Sequence, residues 1–183
     1  MSKLAKKPLI IPDGVQAKLT DGVLEFSGKE GRLAVKVLPH ITAELKDNQL
    51  SFTLSQPTKQ GRANWGTIAS LAKNAVEGVS KGFTKVLEIE GIGYKANMEG
   101  ANLVLNVGLT HPVKLTPPSG IKLTLEKNMI KVSGMDKFLV GETAAKIRKV
   151  SPPEPYKGKG IHYQGEAVRR KAGKKVAGVG AAA

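Results

Sequence analysis

The chain contains no cysteine, which excludes disulfides, thiol nucleophiles and cysteine-ligated metal centres. Aromatic residues are scarce, with one Trp, three Tyr and four Phe among 183 residues. Its cores must therefore be built from Val, Ile, Leu and Ala, and each should be small. No apolar run approaches the roughly 20 residues that a membrane-spanning helix needs, and the start shows no basic segment leading into an apolar one as secretory signals do. Acids are also few: 15 Asp and Glu stand against 29 Lys and Arg, for a formal charge of +14. Such an excess is suited to a polyanion, because each neutralised phosphate releases condensed counterions.

What is present is a change of period along the chain. Pro8 to Val15 reads as a short apolar strand closed by a Pro-Asp-Gly turn, and Val15–Leu19 and Val23–Phe26 alternate around Thr20-Asp21-Gly22, a strong hairpin signal. Leu33, Val35 and Val37 alternate again, as do Leu50, Phe52 and Leu54. From Ala63 the spacing becomes helical, with Trp65, Ile68, Leu71, Ala72, Ala75, Val76 and Val79 on one face and Gly82 at the end. A Trp in line with such a stripe is expected in the core, not on a nucleotide base. Strands resume through Val86–Ile89, Tyr94–Met98, Leu103–Val107, Ile121–Leu125 and Met129–Val132. A second helix is expected over Lys137 to Lys149, stopped by Pro152-Pro153.

The chain also repeats itself. Shifting it by 106 residues lays Pro12 on Pro118, Gly14 on Gly120, Val15 on Ile121, Leu19 on Leu125, Gly22 on Asn128, Leu24 on Ile130, Phe26 on Val132 and Ser27-Gly28 on Ser133-Gly134. The turn pair Gly22 and Asn128 are both types that tolerate positive φ. A helix follows each copy. The fold class expected is α+β: two similar small domains from internal duplication, each an antiparallel sheet with one packed helix, joined near Gly82.

Catalytic and cofactor motifs do not survive inspection. Gly91-Ile-Gly93-Tyr-Lys-Ala96 matches a dinucleotide fingerprint in letters, but that motif must open a helix, and here an alternating strand follows. His40, His111 and His162 are far apart, without ligand spacing. Glu88, Glu90 and Glu99 alternate with apolar residues, as on a solvated strand face. No catalytic set, metal site, cofactor or small-molecule substrate is expected.

The stretch after Pro152, PPEPYKGKGIHYQGEAVRRKAGKK, differs in kind. From Lys146 to Lys175 there are ten Lys or Arg against two acids, Glu154 and Glu166, a net of +8. Gly158 and Gly160 alternate with Lys157 and Lys159, giving a flexible backbone that approaches phosphate while the lysines neutralise it. Tyr156 and Tyr163 are placed to stack on a base or to bond a 2′-hydroxyl. Arg169, Arg170, Lys171, Lys174 and Lys175 add a second cluster. A solvated, disordered basic tail is the plain alternative, and an adaptor for acidic protein or anionic membrane is the other functional one. With two domains complete by about Val150, the stretch is expected to be an addition outside both cores.

Pro153-Glu-Pro-Tyr-Lys-Gly-Lys-Gly160-Ile161, followed by Tyr163, Glu166, Lys171 and Gly173-Lys174, resembles the C-terminal signature of the universal ribosomal protein six family of the large subunit in its bacterial form. Further similarity runs through Pro8–Val15, Gly78–Phe83, Gly91–Ala96, His111-Pro112 and Val140–Arg148. The resemblance implies two duplicated α+β domains, over residues 1–82 and 83–151, with a basic RNA-binding extension over 152–183. It also implies binding to large-subunit (23S) ribosomal RNA near the sarcin-ricin loop and the stalk base, among neighbouring ribosomal proteins where translation factors dock in the cytoplasm. Tyr156, Lys157, Gly158, Lys159 and Gly160 carry over as RNA contacts, with Lys171 and Lys174 behind them. Ser151 and His162 depart from the basic residues usual there, and each departure is expected to weaken a contact.

Overall fold

The computed structural model describes residues 7–46 and 48–173. Thirteen strands and two helices follow one another along them: β1 (Leu9–Ile10), β2 (Gln16–Thr20), β3 (Val23–Ser27), β4 (Arg32–Lys36), β5 (Ile41–Lys46), β6 (Gln49–Leu54), α1 (Lys59–Lys81), β7 (Phe83–Glu90), β8 (Lys95–Glu99), β9 (Asn102–Asn106), β10 (Val113–Leu115), β11 (Ile121–Glu126), β12 (Met129–Gly134), α2 (Lys137–Val150) and β13 (Gly160–Tyr163). They divide into two compact units. One takes residues up to Thr84 with 118–122 and 133–142; the other takes 85–117, 123–132 and the described residues from Thr143 onward.

The α+β class holds, but the strands are shared among four sheets, not gathered into one per repeat. Their orders are β2-β3-β4, β1-β6-β5, β8-β9-β10 and β11-β12-β7-β13. The separation in the first unit begins at Pro39-His40, where His40 takes φ +66 and turns the chain so that β5 pairs with β6 instead of β4. Strand β5, the three-residue β10 between two prolines, and β13 are strands that the sequence pattern did not mark.

The first unit's core follows the two periods. Leu24 and Phe26 of β3, Ile41 and Ala43 of β5, and Leu50 and Phe52 of β6 point inward at every second position, while Ile68, Ala72, Ala75, Val76 and Val79 of α1 do so at helical spacing. The helix begins at Lys59, earlier than Ala63, because Thr58 caps it. The Thr58 hydroxyl accepts the Gly61 N–H at 3.0 Å. Its first turn, Lys-Gln-Gly-Arg, carries no apolar residue by which to see it. Trp65 packs against the core, and its Nε1–H donates to the Phe52 carbonyl at 2.8 Å.

The duplication is visible in backbone detail. The Val15 N–H donates to the Pro12 carbonyl and the Ile121 N–H to the Pro118 carbonyl, both at 3.2 Å, around Gly14 and Gly120 at φ +92 and +85. Leu24, Phe26, Ile130 and Val132 are all 0% exposed. The hairpin turns differ: Asp21 and Gly22 are both positive in φ in the first copy, whereas in the second the positive φ falls on Lys127, not on Asn128. Each hairpin also ends in a glycine pressed on its helix. A Cβ on Gly28 would lie 3.1 Å from Val79 Cγ2, and one on Gly134 3.2 Å from Val140 Cγ2. At Gly28 the same Cβ would lie 2.6 Å from the Val79 carbonyl oxygen, whose acceptor already serves the Glu30 N–H. Gly28→Ala is therefore expected to cost about 1–3 kcal/mol of stability by forcing the backbone apart, measured by denaturant unfolding.

Candidate nucleic-acid interface

The basic stretch leaves the end of α2. Asp136 starts that helix: its Oδ1 accepts the Phe138 N–H at 2.8 Å, and its carbonyl accepts the Val140 N–H at 3.0 Å. Arg148 and Lys149 occupy the last turn, where cations complement the helix dipole, and Pro152-Pro153 follow.

Beyond the prolines the chain closes on itself. The Glu154 N–H donates to the Lys159 carbonyl at 2.7 Å, and the Gly158 N–H to the Glu154 carbonyl at 3.0 Å. Gly158 and Gly160 are not flexible joints, as the sequence suggested, but fixed points. They hold φ of +77 and +143, and a Cβ on Gly160 would lie 2.6 Å from Pro153 Cα. A Cβ on Gly158 would lie 2.9 Å from an Arg170 guanidinium nitrogen. The Lys171 N–H donates to the Pro155 carbonyl at 2.7 Å, so the returning chain runs beside the loop. The structure thus brings Lys157 and Lys159 together with Arg170 and Lys171, with Arg169 next in the chain. Lys157, Arg169, Arg170 and Lys171 are exposed, Lys159 is half-buried, and Tyr156 is 55% exposed. Lys174 and Lys175 lie outside the described residues.

What holds this loop is a strand. β13 pairs antiparallel with β7, Gly160 opposite Glu90, Ile161 opposite Ile89 and Tyr163 opposite Leu87. Ile161 is 0% exposed. The expectation that the whole stretch stands outside both cores is thereby corrected: an apolar residue at this position is worth more buried against the sheet than in water. His162 is also buried, with Nδ1 3.1 Å from the Tyr163 carbonyl oxygen and Nε2 3.7 Å from Glu90, so it is a structural residue and no lost phosphate contact. The Ser151 carbonyl accepts the Ile161 N–H at 2.8 Å, a backbone bond that any residue could make there.

A charged clamp closes the far end of β13. Arg148 donates from Nε to Glu166 Oε2 at 3.1 Å and from Nη2 to Oε1 at 2.6 Å, and Oε2 also accepts the Tyr163 N–H at 3.0 Å. The Arg148 guanidinium and the Lys85 ammonium each lie 5.8 Å from the centre of the Tyr163 ring. Tyr163 therefore gives its ring to two cations of its own chain, whereas Tyr156 presents an open one. Arg148, counted among the basic residues of the stretch, is an anchor. Sequence reasoning missed this clamp; its one signal is Glu166, one of only two acids where bases crowd.

Architecture and site together define a small duplicated α+β protein that displays a folded cationic loop. A model of the family described as ribosomal protein L6 matches residues 11–82 and 90–164, one stretch on each repeat. The chain belongs to the ribosomal protein L6 family, whose members are structural constituents of the ribosome and not enzymes. It is 48% identical over 175 residues to the large ribosomal subunit protein uL6 of Maridesulfovibrio salexigens, covering 95% of this chain and 98% of that one. The proteins of the same name from Staphylococcus carnosus, 48% identical over 175 residues, and Helicobacter hepaticus, 45% over 174, are covered to the same extent.

The clamp sets a pH dependence. The Arg148 hydrogen bonds, and then the Tyr163 N–H, hold the Glu166 carboxyl below its ordinary value of 4.5, and the bond to Glu166 raises Arg148 in turn. A carboxyl depressed on folding stabilises fully at neutral pH and loses that contribution as pH falls through its folded-state value. Glu166→Gln is expected to cost about 1–2 kcal/mol at pH 7. In melting curves over a pH series, the gap between wild type and variant should close on the acid side of 4.5.

Proposed function

We propose that this chain is a structural constituent of the large ribosomal subunit that binds 23S ribosomal RNA through the loop Tyr156–Gly160 and the adjoining Arg169–Lys171, and through Lys174 and Lys175, which follow in the sequence. The observation that carries the reading is the closed loop itself: Lys157 and Lys159 sit on a backbone that hydrogen bonds between Glu154, Gly158 and Lys159 have already closed. Preformed geometry lowers the ordering cost of binding. Lys157, Lys159, Arg169, Arg170 and Lys171 supply affinity through phosphate, Tyr156 stacks on an unpaired base or meets a 2′-hydroxyl, and the shape of the RNA supplies specificity. Tyr163 acts beneath this surface, as the ring against which Arg148 and Lys85 are set.

The large-subunit name of the relatives supports the subunit, and the finer location rests on the resemblance of the signature alone: near the sarcin-ricin loop and the base of the stalk, beside neighbouring ribosomal proteins and the docking place of translation factors. Residues 1–82 and 83–151 are the duplicated domains, and 152–183 is the RNA-binding part, with β13 built into the second domain's sheet. Among the described residues no helix is long and apolar enough to cross a membrane. No observation singles out an anionic surface or an acidic protein over RNA.

Removing everything after Val150 would strip β13 from its sheet, so point substitutions make the cleaner test. Lys157→Ala is expected to weaken binding to large-subunit RNA and to reduce the slope of log affinity against log salt by about 0.7–0.9, the loss of one phosphate contact. An unchanged slope in salt-series binding measurements would remove Lys157 from the interface.

A further inference from the structure

Two large apolar side chains stand in water at one end of the second unit, Ile92 at 88% exposure and Leu109 at 54%. Ile92 occupies the tip of the turn between β7 and β8, where the Tyr94 N–H donates to the Gly91 carbonyl at 3.3 Å and Gly93 takes φ +78. The Tyr94 ring joins this tip to the loop between β9 and β10. A Cβ on Gly91 would lie 2.7 Å from the ring, and one on Gly108, the neighbour of Leu109, 3.4 Å. Strand register brings the basic loop to the same end. Gly160 lies opposite Glu90, so the residues that follow Glu90 and those that precede Gly160 leave the strand pair together. Glu90 itself is exposed between them, which makes the tip an unsuitable seat for phosphate.

We infer that Ile92 and Leu109 form an apolar RNA contact that packs on ribose and base edges beside the phosphates held by Lys157 and Lys159. The inference rests on the RNA-binding function proposed above. The minor groove of an RNA helix is wide and shallow and displays sugars and base edges, an apolar surface of the kind that side chains of DNA minor-groove binders also contact. Gly91 and Gly93, on either side of Ile92, let the backbone come close to such a surface. Continuity with the cationic loop favours RNA over a protein neighbour as the occupant.

The test uses the full chain and large-subunit ribosomal RNA in a salt series. Ile92→Ser and Leu109→Ser should each bind about fivefold more weakly at every salt concentration, as expected for partial loss of an apolar contact, and leave the slope unchanged. Ile92→Val should stay near wild type. Lys157→Ala, run alongside, should change the slope. Should either serine variant melt early, Ile92→Ala or Leu109→Ala takes its place. Wild-type affinity in both variants would overturn the inference, and so would a defect confined to retention of a protein neighbour in reconstituted subunits. Failure of the wild-type chain to bind this RNA would instead overturn the function beneath it.

Discussion

The pairing of β13 with β7 is the constraint on which the rest of the site depends. It buries Ile161 completely, and removing an isoleucine side chain from water is worth about 1.5–3 kcal/mol. That one residue turns a basic tail into a part of the folded body. Upstream, it forces Gly160 against Pro152-Pro153 and leaves six residues to close the loop from Glu154 to Lys159. Downstream, it delivers Glu166 to Arg148.

Charge in the stretch consequently has two uses. Arg148 and Glu166 spend theirs on each other and on fixing Tyr163, where partial burial and two-point geometry make the pair stronger than an exposed ion pair. Lys157, Arg169, Arg170 and Lys171 keep theirs at the surface. A net charge summed over the segment cannot separate these uses, because it counts Arg148 with Lys157. The distinction appears only when each cation is asked what it touches.

Most of the fold was legible because period and turn chemistry agree. The alternation of Leu24 and Phe26, the Asp-Gly turn, and the match of Val15 with Ile121 mark both hairpins and their duplication in the sequence itself. Boundaries without apolar marks were not legible, as at Lys59, where Thr58 and not hydrophobicity starts the helix. Strand β13 was hidden because its four residues, Gly-Ile-His-Tyr, sit among charges, and only a partner strand seventy residues away shows that Ile161 is core. For the same reason the glycines of the loop read as freedom when they are fit. The residue types of the site were visible in sequence; their organisation, above all the withdrawal of Arg148 and Tyr163 into a clamp, was not.

The cationic loop is folded before its partner arrives. Amide hydrogen exchange on the RNA-free protein tests it most directly. Slow exchange is expected at Glu154, Gly158, Ile161 and Lys171, whose N–H groups are hydrogen-bonded within the protein. Exchange of those four amides at the rate of an unstructured chain would contradict it.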